Sequence, residues 1–68
     1  MTRRTADPLV PPPELATELG VPVKTLAEWR SRGLGPSYVR VGRHVRYRRE
    51  AINLWLDAQT HRTEKTAV

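Results

Sequence analysis

Apolar residues recur in four blocks along this chain, and each block keeps its own period. Leu15, Ala16 and Leu19 stand at helical spacing, and Leu26 and Trp29 repeat it. Val39, Val41, Val45 and Tyr47 alternate with polar residues, after which Ala51, Ile52, Trp55 and Leu56 return to helical spacing. A period near 3.6 marks a helix with one buried stripe, and a period of 2 marks a strand with one buried face. The pattern therefore predicts helix, helix, strand, strand, helix.

Proline and glycine set the boundaries. Pro11, Pro12 and Pro13 resist helix until the last of them, which predicts a first helix over 14–19 with Gly20 as its terminating residue. Only Val21 and Pro22 precede the next helical pattern, which runs over 23–32 and closes at Gly33. Two short helices joined this tightly must cross steeply. Gly35 and Pro36 interrupt the chain again, and Gly42-Arg43 divides two alternating arms, 38–41 and 44–48, into a β-hairpin. Alternation within each arm directs Val39, Val41, Val45 and Tyr47 to the core. It leaves Arg40, His44, Arg46 and Arg48 in solvent, with Arg43 at the tip. A third helix over 50–59 starts with Glu50 in its positive first turn. The expected fold is α+β and mainly helical, a winged helix-turn-helix of three short helices and a two-stranded β-hairpin wing.

The folded unit is expected over 9–59. An N-terminal arm, 1–8, and a C-terminal tail, 60–68, show no periodicity and are expected to be loosely ordered. Sixty-eight residues make one small domain with little room for a deep pocket. The absence of cysteine leaves packing alone to hold it together. No apolar run approaches the roughly 20 residues of a membrane span, and 1–8 lack the hydrophobic stretch of a signal peptide. A soluble protein of the bacterial cytoplasm is expected.

Charge changes the picture more than composition does. The twenty residues from Arg30 to Arg49 hold seven arginines and no acidic residue, while the rest of the chain has five basic against seven acidic residues, a net of −2. A local cationic field over a helix end and a hairpin is the footprint of a nucleic-acid reader, the plainer alternative being a solvated basic surface. On the second helix Lys24, Thr25, Glu28, Ser31 and Arg32 form a polar outer arc, with Leu26, Trp29 and the stem of Arg30 toward the core. Trp29 could instead be an exposed stacking platform for a base, but its spacing assigns it to the core. A helix starting near Val23 also aims its free amide groups at phosphate, an attraction that Lys24 and Thr25 reinforce. Helix, short turn, helix, hairpin, helix is the order in which a recognition helix enters a major groove and a wing lies along the backbone or in the neighbouring minor groove.

The motifs E-L-A, L-G-V, K-T-L, W-R, R-V-G, V-R-Y and W-L occur in this order and closely spaced between residues 9 and 57. Together they resemble the phage excisionase family of small winged-helix proteins, relatives of the MerR-type DNA-binding domain. The resemblance implies a phage or prophage accessory protein that binds direct repeats on attachment-site DNA, cooperatively with other protomers. It would bend that DNA and steer a partner integrase toward DNA excision without cutting DNA itself. Carried onto this chain, base reading falls to Lys24, Thr25, Glu28 and Ser31, with Arg30 or Arg32 on phosphate. Arg43 takes the minor groove, flanked on the wing by Arg40, His44 and Arg46. The chain departs from the family where Ser or Thr commonly caps the first two helices, since Pro11 to Pro13 and Pro22 stand there. Ala51 replaces the usual acidic residue after Glu50.

Three other readings compete. Catalysis would need a nucleophile and base from His44, His61, Ser31, Ser37, Tyr38 and Tyr47, and no triad or metal cluster is visible among them, so no catalytic residue, metal or cofactor is expected. His44 is read as a weak phosphate contact or simply exposed. A small MerR-like transcriptional repressor uses the same scaffold, although such regulators dimerise through a long C-terminal helix for which the nine residues after Gln59 show no heptad pattern. A protein-interaction adaptor with an incidental basic face is the third.

Overall fold

The computed structural model describes residues 9–61, so the expected arm at 1–8 and all but the first two residues of the expected tail lie outside the described residues. The elements are β1 (Leu9–Val10), α1 (Pro12–Leu19), α2 (Val23–Arg32), β2 (Val39–Val41), β3 (His44–Arg48) and α3 (Arg49–Gln59). All the expected elements are present and a further strand joins them. The sheet is antiparallel with order β1-β3-β2, so β3 is its central strand and the wing's root is three-stranded, not two-stranded as the hairpin alone predicts. Leu9 pairs with Arg48 and Val10 with Tyr47. Two residues leave no alternation to read, and only their partner strand reveals them.

α1 begins at Pro12, two residues before the expected start, with Pro11 extended as its cap (φ −75°, ψ 153°). Prolines at the first two helical positions are tolerated because their missing N–H groups would have no intrahelical partner. The carbonyl of Pro11 accepts from the amides of Glu14 and Leu15, at 3.1 Å each, and no side chain caps the helix. Pro22 caps α2 in the same bare way. Both helices then stop identically. The Val21 amide donates back to Ala16 O at 3.0 Å and the Leu34 amide to Trp29 O at 2.7 Å, the long return bond of a Schellman ending. α3 is stopped by Thr60, whose hydroxyl donates to Leu56 O at 2.9 Å. Thr60, the first residue of the expected tail, is thus the C-cap of α3.

The core is formed by Val10, Leu15, Ala16, Leu26, Tyr47 and Ile52, one or two from every element except β2. Leu19, Val21, Trp29 and Val45 pack against it from partly buried positions. Trp29 lies over α3 with its ring 5.4 Å from that of Trp55 and tilted by 46°, so the core assignment of Trp29 holds at the core's edge. Gly35 makes that placement possible. A Cβ built on it would stand 2.9 Å from the Trp29 ring, and its φ of +82° disfavours any side chain in any case.

The hairpin corrects the expectation for its faces. Pairs across an antiparallel ladder share a face, and the ladder matches Val39 with Arg46, Arg40 with Val45 and Val41 with His44. A two-residue turn shifts the parity of one arm against the other. Val39 and Val41 consequently lie with His44 and Arg46, while Arg40 lies with Val45 and Tyr47. Val41 is half exposed at 50 %, and the core receives Val45 and Tyr47 alone from the hairpin.

Candidate nucleic-acid interface

Burial divides α2 into two arcs. Leu26 is fully buried and Thr25, Trp29 and Arg30 are intermediate, whereas Val23, Lys24, Ala27, Glu28, Ser31 and Arg32 are exposed. Lys24, Glu28, Ser31 and Arg32 therefore lie on the outer arc as their spacing predicts, with Thr25 at its inner edge. Val23 and Ala27 complete this surface, and an arc drawn from polar residue types alone does not include them. The i, i+4 steps from Val23 to Ala27 and from Ala27 to Ser31 place both on the arc. An exposed methyl on a recognition surface has its own use, contact with the thymine methyl group. The Ser31 hydroxyl donates to Glu28 O at 3.2 Å, which holds it along the helix.

Arg30 turns the other way. Its Nη1 donates to the hydroxyl of buried Tyr47 at 2.8 Å, and its guanidinium carbon lies 5.8 Å from the Tyr38 ring centroid. It shares the inner side of α2 with Leu26, as the spacing of its stem predicts, and its head group too is turned to Tyr47 and Tyr38.

On the wing, Gly42 supplies the positive φ (64°) of the first central turn position and Arg43 does not share it, as a type II′ turn requires. The turn exposes Arg43 at the tip. Ladder parity then separates the wing's polar side chains. Arg46 and His44 share one face, Arg40 occupies the other, and Arg43 lies between them at the end. Arg46 is half-buried, its Nη1 donating to Val45 O at 2.7 Å. Among the described residues, Lys24, Arg32, Arg40 and Arg43 make no side-chain hydrogen bond or ion pair. Arg49, by contrast, forms a two-pronged pair with Glu18 on α1, Nη1 to Oε2 at 2.7 Å and Nη2 to Oε1 at 3.0 Å. Those hydrogen bonds hold the Glu18 carboxyl below its usual range, against a smaller opposing effect of burial.

The elements so described are a helix with an exposed polar arc and a hairpin, joined to it through Arg30, that carries cations on both faces and its tip. No helix among the described residues is long and apolar enough to cross a membrane. No curated protein and no solved structure gives a significant match to the chain. The sequence profile of one family, described as a helix-turn-helix domain, matches residues 12–60, from the first residue of α1 to the Thr60 cap of α3. With two short helices joined by a tight turn, a β-hairpin and a third helix after them, and nearly three-quarters of its length covered, the chain belongs to the helix-turn-helix domain family, small DNA-binding domains, here in winged form.

Proposed function

We propose that the protein acts as an excisionase, a recombination directionality factor that binds and bends attachment-site DNA so that a partner integrase excises. The observation that carries the DNA contact is the pairing of the exposed α2 arc with a wing whose arginines flank it on two faces. Lys24, Glu28, Ser31 and Ala27 read base edges in a major groove, with Thr25 at the rim and Arg32 on phosphate. Arg43 enters the adjacent minor groove. Arg40 on one face of the wing, and Arg46 with His44 on the other, reach the two phosphate strands that border that groove. A hairpin with cations on one face could grip only one of them.

The excision role rests on the motif series from E-L-A to W-L and its likeness to the excisionase family. The chain supplies no bond-breaking chemistry in this reading; it is an architectural protein and not an enzyme. Several protomers lie on adjacent repeats, their linked binding raises effective concentration, and the array curves the duplex at a cost of roughly 1 to 6 kcal/mol that the added contacts offset.

Five cations in the proposed contact, Lys24, Arg32, Arg40, Arg43 and Arg46, give an expected log–log salt slope of about −4 to −5 for duplex binding. A slope near zero removes DNA from the function. The excision role is checked by recombination in vitro with the integrase encoded nearest the gene and its attachment sites. Excision should rise and integration fall when the protein is added, and the protein alone should cut nothing. Indifference in both directions, with repression of a neighbouring promoter, replaces the excision role by that of a transcriptional repressor.

A further inference from the structure

Arg30 is half-buried, and its partners belong to the wing. Tyr47 sits on the central strand opposite Val10 with 1 % of its surface exposed, so its ring is fixed by the core and cannot itself touch a ligand. Its hydroxyl is the acceptor for Arg30 Nη1. Tyr38, just before β2, stands edge-on to Tyr47 with ring centroids 6.3 Å apart, and the Arg30 guanidinium lies over the Tyr38 ring. One side chain from the last turn of α2 thus grips residues of both hairpin arms at their root.

The guanidinium is planar, and a hydrogen bond from it to a phenol hydroxyl is directional and strengthened by charge and by partial burial. Such a bond constrains the angle between the helix and the hairpin as well as their separation. Resting on the DNA-binding reading above, we propose that Arg30 is a positioning residue: through Tyr47 and Tyr38 it locks the wing at the angle to α2 at which helix and wing tip reach adjacent grooves together. The grooves of a duplex have a fixed spacing, and a wing free to swing would have to be ordered on binding, which lowers affinity without removing any contact. A direct phosphate contact by Arg30 makes the opposite set of predictions.

The test compares the full chain with Tyr47→Phe, Arg30→Met and the double variant, on a duplex selected by the unaltered chain from a random-sequence pool. Salt-dependent binding by the unaltered chain is required first, and its absence defeats the DNA reading, not this one. Positioning predicts that both single variants weaken binding by a similar factor, about fivefold or more, and that the double variant is no weaker than either. The salt slope stays that of the unaltered chain, since no phosphate contact is lost. A phosphate contact by Arg30 instead predicts a slope shallower by about one for Arg30→Met, with Tyr47→Phe binding as the unaltered chain does; that result overturns the proposal. Thermal melting of each variant establishes that it folds. Arg30→Lys decides the matter if Tyr47→Phe does not fold, because it keeps the charge and loses the planar fork. Loss as large as in Arg30→Met supports positioning, and unaltered affinity overturns it. Residual dipolar couplings give the direct view, with hairpin and α2 changing relative orientation in the variants and not in the unaltered protein.

Discussion

The two ends of the hairpin are made of similar residues and do different work. At the root, Tyr47 is buried against Val10, Arg49 is paired with Glu18 and Arg30 is bonded to the Tyr47 hydroxyl. At the tip, Val41 is half exposed, and Arg40 and Arg43 have no polar partner among the described residues. Position decides this: arginines whose acceptor or aromatic ring lies on another element become part of the fold, and those carried beyond the core on a two-residue turn remain available to a ligand. Net positive charge along a sequence therefore overstates the charge offered to DNA.

The comparison breaks first if the two ends respond alike to truncation. Leu26→Ala removes a side chain with no exposed surface from the layer beneath the root, and it should destabilise the domain by about 2 to 5 kcal/mol in chemical denaturation, enough to unfold much of so small a protein. Val41→Ala at the tip should change stability by less than about 0.5 kcal/mol. Equal losses would mean that the tip is packed against something the root–tip division leaves out.

Arg43→Ala sharpens the same division from the binding side. It should weaken duplex binding by about 1 to 2 kcal/mol, most on A·T-rich sequences with a narrow minor groove, while the melting curve stays in place. A variant that binds every sequence unchanged removes the tip from the interface, and one that melts earlier makes Arg43 a part of the fold.

Much of this division can be read in the sequence, and the unreadable part has definite causes. The span of α2 is legible to the residue because Pro22 and Gly33 bound it, and the Gly42-Arg43 turn is legible because glycine there has few other uses. The faces of the hairpin follow from that turn and not from alternation inside each arm: a two-residue loop sets Val41 opposite His44 and Arg40 opposite Val45, so the valines of the first arm share a face with Arg46 and not with Val45. β1 is hidden because Leu9–Val10 is too short for a period. The inward stem of Arg30 is legible from its spacing, but its partner is not, since the acceptor lies 17 residues away in sequence and on another element. Val23 and Ala27 lie exposed beside a polar arc, where an arc drawn from polar residues alone passes over them.

The smallest expected effect is the pH response of the root. Glu18 is held ionised by Arg49, so its folded carboxyl titrates below its unfolded one. The pair's stabilisation is present above the unfolded value and disappears as the pH falls through the folded one. Both side chains are 39 % exposed, so solvent screening keeps the contribution small. Glu18→Gln should lower the melting midpoint slightly at neutral pH and at low salt, with the difference closing in acid. A gap that widens in acid, or a variant more stable than its parent at neutral pH, would take the pair out of the root's stability.

Trp29 and Trp55 are the protein's two tryptophans, and they form one pair at a 46° tilt. Two indoles this close and not parallel couple their transitions, so the optical spectrum contains a built-in reporter for the seam between α2 and α3. Its circular dichroism couplet and its fluorescence should follow unfolding of that seam and remain nearly silent to events at the wing tip. A titration that moves the couplet before the chain melts is reading a rearrangement of α2 itself.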